Sequence, residues 1–556
     1  MTTTAWDLAA TTTVEDNTPE TLARRLRAHL QALATRRLPI TYQEAAKGMF
    51  LSPPNTIHQV TEALEQLMAE DAAADRPFIA AMVISKARGG LPAPGFFDCA
   101  ARLGRFAGDA TGLDAWAFHA VELNAAVAFW GPPSELPREQ RKRMAPHSAQ
   151  SLEQSRLHLV PGAGVGGRRP RVVIVGAGFA GLTVAKRLAK APVDIILIDR
   201  ENHHLFQPLL YQVATAGLSP ADIAWPIRSL VRGQRNTRVL LGEVTGVDHA
   251  RKRVNMGGRN IAYDVLVLAT GATHGYFGND SWAAHAPGLK TIDDATEIRR
   301  RLLLAFERAE MESDAREHER LLTIVIVGGG PTGVEMAGAV VELARKALAT
   351  DFRAIDPQQT RVLLLEAGPR LLPSFPESLS RYAEKTLRCL GVDVRLEQAV
   401  THCGATGVTL GDENVSAGTV IWAAGVAASP AADWLAVAGD RAGRVLVGPG
   451  LRPPGLDDVF IIGDTALAHD VAGEPLPGIA PVAKQQGAYV ADVIKAYLTG
   501  KPELPPFRYR DRGQLATIGR KTAVIAFGLL RIKGWLAWWI WGIAHIYFLI
   551  SLRNRL

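Results

Sequence analysis

Three glycines, Gly176, Gly178 and Gly181, follow the β-branched run Val172-Val-Ile-Val175, and a carboxylate, Asp199, stands 18 residues beyond the last of them. A run of this kind makes a buried parallel strand. Glycines directly after it let the backbone turn tightly and approach a pyrophosphate, whose charge meets the N–H groups of the following helix. Asp199 ends a second apolar run, Asp194-Ile-Ile-Leu-Ile, where a ribose hydroxyl needs an acceptor. The set recurs. Thr323-Ile-Val-Ile-Val327 runs into Gly328, Gly330 and Gly333, and Arg361-Val-Leu-Leu-Leu365 ends on Glu366. Two such sets imply two dinucleotides. At the second, Glu366 accepts from a free 2′-hydroxyl and repels a 2′-phosphate, which favours NADH over NADPH; nearby Arg370 tempers that preference.

Strands and helices alternate from Arg171 onward, as the positioning of these groups requires. A strand over 263–268 leads into Ala269-Thr270-Gly271, small enough for close approach of a second backbone or a cofactor. Asp458-Val-Phe-Ile-Ile-Gly-Asp464 is a later strand ending on a carboxylate, which places the second unit as an insert in the first. The predicted fold class is α/β: two Rossmann-like dinucleotide-binding domains, one inserted in the other. A mostly α-helical region precedes them and an amphipathic membrane helix ends the chain. The predicted boundaries are 1–18 disordered, 19–156 helical accessory domain, 157–170 linker, 171–290 first cofactor domain, 291–445 inserted domain, 446–505 return to the first, and 506–556 membrane-anchoring segment.

At 556 residues the chain is too long for one core, and a 47% hydrophobic, 21% charged composition is globular. A net charge of +7 suits anionic cofactors or an anionic membrane surface without demanding nucleic acid. Cys99, Cys389 and Cys403 form no CxxC, so they read as reduced and inert. His29, His58, His119, His203 and His204 have no metal-ligand spacing, and no metal is expected. Residues 41–68 read as two helices around a tight connection. Glu62, Glu65 and Glu70 make the second of them acidic, so DNA binding is disfavoured. Residues 78–84 read as a strand or a buried helical turn.

Gly-Ala-Gly-Phe-Ala-Gly181, Ala-Thr-Gly271, Gly-Gly-Gly-Pro-Thr-Gly-Val-Glu335 and Phe-Ile-Ile-Gly-Asp464, in this order, resemble the two-dinucleotide-binding-domain flavoproteins. Asn202-His-His-Leu-Phe-Gln-Pro-Leu-Leu-Tyr-Gln-Val-Ala214 and a Trp-rich tail narrow the resemblance to the type II NADH:quinone oxidoreductases, single-chain enzymes that pump no protons. The resemblance covers about residues 171–555. It implies FAD at Gly176, Gly178, Gly181, Asp199, Val244, Thr270, Gly271 and Asp464, with NADH as substrate at Gly328, Gly330, Gly333 and Glu366. Glu335 matches a family carboxylate between the nicotinamide and quinone sites; its plain reading is an acid favoured by the helix macrodipole. The family's quinone motif, Ala-Gln-x-x-x-Gln, here reads Ala480-Pro481-Val-Ala-Lys484-Gln485. Pro481 has no side-chain donor, so the quinone carbonyl is expected at Gln485 or Lys484. Glu335, Lys484 and Gln485 are thus the expected catalytic residues of an FAD-dependent respiratory NADH dehydrogenase.

Residues 534–552 carry no formal charge and hold four tryptophans near one end, with Arg531, Lys533, Arg553 and Arg555 as flanks. Tryptophan prefers the headgroup level and basic side chains prefer anionic lipid. A helix lying in the interface is therefore favoured over one that spans. The resemblance implies a peripheral (monotopic) protein on the cytoplasmic side of the cell inner membrane, reducing a membrane quinone; a homodimer is left open. A sulfide:quinone oxidoreductase would need redox cysteines beside the flavin, and Cys389 and Cys403 fall in the NADH-binding insert. The remaining alternative is a flavin-containing redox sensor or regulator acting through the N-terminal helices.

Overall fold

The β-branched runs that precede the two glycine sets form the central strands of two parallel sheets. The structure, a computed structural model, describes residues 19–131 and 168–548 apart from 37, 52, 53, 86, 87, 89 and 111. The expected disorder of 1–18, all but the end of the 157–170 linker, and the basic residues Arg553 and Arg555 lie outside the described residues.

Residues 19–131 contain helices α1 Pro19–Ala34, α2 Tyr42–Gly48, α3 Thr56–Ala73, α4 Pro94–Arg102 and α5 Leu113–Trp130. Leu26, Leu30, Leu67, Phe78, Met82 and Phe97 fill their core. The 78–84 segment divides into a 3-10 turn, Ile79–Met82, and a two-residue strand, Val83–Ile84, paired parallel with Ile40–Thr41. Buried carboxylates stop it becoming one regular element: Phe78 N–H donates to Glu122 and Ile79 N–H to Asp71.

The first cofactor domain is built on β1 Arg171–Val175, helix α6 Phe179–Arg187, β2 Asp194–Asp199, β3 Thr237–Leu241 and β4 Val265–Leu268. The chain leaves it through β5 Ala272–His274 and helix α7 Ile292–Met311. The inserted domain comprises β6 Thr323–Val327, helix α8 Pro331–Glu342, β7 Arg361–Leu365, β8 Val392–Arg395 and β9 Thr419–Trp422. The return is β10 Val426–Ala428, then β11 Val459–Ile461 and helix α9 Ala480–Leu498. The sheets run β3-β2-β1-β4-β11 and β8-β7-β6-β9, with every pairing parallel.

The crossing between domains is the antiparallel ribbon β5/β10. It falls earlier in the chain than the expected boundaries at 290 and 445. Tyr276, Trp282 and Ala286 pack with Val325 and Val327 of the inserted sheet, whereas Ala431, Leu435, Val437 and Val445 already belong to the first domain's core. Contacts across the chain, invisible to local periodicity, decide where each domain ends.

At the C-terminal end, β12 Gln514–Thr517, β13 Ala523–Phe527 and β14 Leu530–Gly534 form an antiparallel sheet, followed by helix α10 Trp535–Phe548. Ala537 and Trp541 pack into the inserted domain's core, while Trp535, Leu536, Trp539, Ile540 and Ile543 stay exposed. Among the described residues no helix is long and apolar enough to cross a membrane.

Candidate active site

In each sheet the chain winds one way from the first strand and the other way from the fourth, leaving a crevice at the carboxyl ends between them, where such folds take their ligands. Gly176 sits there after β1. A Cβ on it would stand 2.2 Å from the Ala269 carbonyl oxygen beyond β4, and its φ is +100°. Gly328 repeats this after β6, with φ +111° and the Ala423–Ala424 peptide 2.7 Å from a Cβ. The third glycines lie under the turn: a Cβ on Gly181 or Gly333 would come 1.9 or 1.8 Å from the carbonyl oxygen of Gly176 or Gly328. The middle glycines, Gly178 and Gly330, cap α6 and α8. Nothing lies within 4 Å of where a Cβ on either would stand, so both crevices stay open where a pyrophosphate would rest.

The acids complete the likeness. Asp199 accepts the Ala177 N–H at 2.6 Å through one oxygen and the Glu201 N–H at 2.8 Å through the other. Glu366 accepts the Gly329 N–H at 2.6 Å and the Gly368 N–H at 2.6 Å. Each carboxylate is thus tied to its own glycine loop, between the first and second glycines. Burial raises the Asp199 carboxyl, and the two N–H bonds oppose it. Val244 starts the strand Val244–Asp248, just after Gly242, whose N–H donates to the Asp199 carbonyl.

A cavity of about 340 Å³ lies beside the ribbon, lined by Lys290, Val426, Arg444, Asp464, Leu476 and Gln486 among others. The Ala-Thr-Gly turn is clasped next to it. The Thr270 hydroxyl meets Ser429 and Thr465, and the Thr465 hydroxyl donates to the Gly271 carbonyl. Open crevice, paired acid and adjoining cavity fit an extended dinucleotide with a ring system at its inner end.

Residues 170–487 match the pyridine nucleotide-disulphide oxidoreductase family. Over 409 residues, 70% of this chain and 86% of the other, the sequence is 45% identical to the type II NADH:quinone oxidoreductase NdhA of Mycobacterium tuberculosis. It is 32% identical over 371 residues to the type II NADH:quinone oxidoreductase of Staphylococcus haemolyticus, with 65% and 90% of the two chains covered. The chain belongs to the type II NADH:quinone oxidoreductase family. The fold agrees. NDH2 of Plasmodium falciparum in complex with NADH superposes with a TM-score of 0.63 at 21% identity, covering 70% of this chain and 96% of that one.

Glu335 lies one turn into α8 and accepts the Thr517 N–H from β12 at 3.3 Å. The residue is only partly shielded from solvent, yet protein surrounds the carboxyl closely enough that burial raises it to about 8, against one weak opposing hydrogen bond. Tyr211 joins the group: its hydroxyl lies 3.1 Å from the Thr517 hydroxyl and accepts from Gln212 at 2.9 Å. Burial raises Tyr211 too, and Glu335 adds to it.

Lys484, one turn into α9, holds its ammonium 5.0 Å from the centre of the Phe179 ring at the start of α6. Burial lowers it first, with Lys186 and Arg512 adding repulsion. Gln485 is placed differently from expectation. Its amide donates to the Arg510 carbonyl at 2.9 Å and accepts the Arg510 N–H at 3.0 Å, so both ends hold the 508–513 loop, and it does not line the cavity. The glutamine at the cavity is Gln486, 1% exposed, accepting the Gly463 N–H at 2.7 Å. A sequence signal existed. Val482, Ala483, Gln486, Gly487 and Val490 recur at helical spacing, which puts Gln486 on the inward stripe and Gln485 beside it.

His203 and His204 turn apart: His204 is buried with Nδ1 on the Ala177 carbonyl at 2.8 Å, and His203 meets its neighbour Asn202. Cys99 and Cys403 are buried and Cys389 is exposed, and none of the three lines the cavity.

Proposed function

We propose that this chain is a non-proton-pumping respiratory NADH dehydrogenase that passes hydride from NADH to FAD and two electrons on to a membrane quinone. The observation that carries the reading is the duplicated cradle, in which an acid is bonded to the middle of a glycine loop that is open above its second glycine. FAD, when bound, supplies the two-electron chemistry; the protein supplies orientation, charge and the exclusion of water. In this reading Gly176, Gly178, Gly181, Asp199, Val244, Thr270, Gly271 and Asp464 hold FAD, and Gly328, Gly330, Gly333 and Glu366 hold NADH. Glu335, protonated below pH 8, has a proton to give as quinone takes up two. Lys484 offers a positive charge to the oxygen that gains electron density. Gln485 contributes by holding the 508–513 loop beside Lys484.

A membrane position is supported by the exposed face of α10 and the turn before it. Trp535 is 67% and Trp539 55% exposed on α10, and Leu529 and Leu530 at the β13/β14 turn add to the patch. Lys533 and Arg531 lie beside it. Such a surface suits a helix lying at an anionic bilayer, here the cytoplasmic face of the inner membrane. Ring contacts run inward from it: Trp541 stacks on His545, His545 meets Phe206, and Phe206 meets Phe179 under Lys484. This run of rings leads from the exposed patch to Lys484.

Steady-state assay with a soluble short-chain quinone tests the reading. One NADH should be consumed per quinone reduced, with or without anionic vesicles. No turnover with any quinone would overturn it and leave the regulator.

A further inference from the structure

The family match begins at residue 170, yet the N-terminal helical domain is not merely tethered to the rest. Its core includes three residues from beyond the linker, Ala438, Leu446 and Leu467. Two of them lie in a short parallel ribbon, Val445–Leu446 paired with Ala466–Leu467. Side chains alternate across a strand. Leu446 and Leu467 therefore enter the helical domain, while Val445 and Ala466 turn into the first cofactor domain, where Ala466 lines the cavity. The flanking loops are two-sided in the same way. Asn124 of α5 accepts the Ala438 N–H at 2.7 Å, and Glu44 of α2 pairs with Arg441, whereas Ala442 and Arg444 of that same turn face the cavity. Trp116 of α5 stacks on His469 with ring centres 3.3 Å apart, and Pro475, which bridges back to His469, runs on into Leu476, Pro477 and Gly478 of the cavity wall.

We propose that the N-terminal helical domain is a structural part of the flavin cavity. Through Asn124, Trp116 and Glu44 it holds the 438–447 and 466–478 segments, whose opposite side is the cavity wall, so the retention of FAD depends on this interface. Asn124 and Trp116 are positioning residues: they touch neither cofactor nor substrate. The inference rests on the reading that the cavity takes the flavin end of FAD.

The test uses the full-length holoprotein and follows FAD release on dilution by the rise in flavin fluorescence. Asn124→Leu removes the acceptor at nearly constant volume and leaves the Ala438 N–H buried without a partner. It should release FAD about tenfold faster than the parent. Asn124→Asp keeps the acceptor and should restore slow release. The NADH site lies in the other domain, so KM for NADH at saturating FAD should stay within about twofold of the parent in both variants. Should Asn124→Leu fail to fold, the surface pair decides. Glu44→Arg alone should speed release, and adding Arg441→Glu should reverse it. Release at the parent's rate from both Asn124→Leu and Glu44→Arg would overturn the proposal, as would an NADH KM that shifts in step with release. A parent protein that takes up no FAD at all would instead strike the proposed function itself.

Discussion

At the scale of single residues, the raised carboxyl of Glu335 has consequences for stability and turnover. In the unfolded chain it ionises near the ordinary value of 4.5, and in the folded chain near 8. Between those values the unfolded state holds fewer protons than the folded one, so stability falls as pH rises and levels off above 8. Glu335→Gln should remove that loss. Thermal unfolding should show the variant gaining little over the parent at pH 5 and most at pH 8.5; an offset independent of pH would contradict the assignment. The same group should give the parent's quinone reduction a decline through about pH 8 that the variant lacks. Glu366→Ala should raise KM for NADH about tenfold or more, as loss of a charged hydrogen bond does, without lowering FAD content. An unchanged KM would remove its ribose role. Glu366 is legible in the sequence from its place after a glycine turn, whereas Glu335 is singled out there only by the resemblance. Gln485 departs from expectation because neighbours on a helix differ by about 100° in direction, and only the phase of the apolar stripe shows which one turns inward.

At the scale of elements, the three glycines of a cradle do separable work. Gly181 lies under the turn with no room for a Cβ, whereas Gly178 has open space and an ordinary φ of −67°. Gly181→Ala should therefore destabilise even the FAD-free protein, by about 2 kcal/mol or more. Gly178→Ala should leave FAD-free stability near the parent's and weaken FAD binding, since its new methyl points into the crevice. Denaturant unfolding of FAD-free protein beside FAD titration distinguishes them, and equal effects on both would contradict the division. Helix α10 divides likewise. Replacing exposed Trp535 and Trp539 with alanine should weaken sedimentation with anionic vesicles while turnover of a soluble quinone persists. Trp541, 6% exposed, should instead cost stability when replaced. Loss of turnover from the exposed pair alone would contradict a purely interfacial role.

At the scale of the molecule, two copies of one strand-turn-helix device account for most of what the sequence discloses. Each sheet repeats the order that opens a crevice at its switch point, and glycines mark where neighbouring backbone leaves no space. What local pattern cannot disclose is contact between distant segments. The domain crossing at β5/β10 shows in Trp282, which already packs with the inserted sheet. The helical domain's seat depends on Asn124 meeting Ala438, more than three hundred residues away. The central claim is that two nucleotide sites serve one two-electron relay, and an anaerobic spectral titration tests it most directly. One equivalent of NADH should bleach the flavin absorbance of the purified protein, and one equivalent of quinone should restore it. A flavin band that NADH leaves unbleached, or a protein that is colourless and cannot be reconstituted with FAD, would contradict the account.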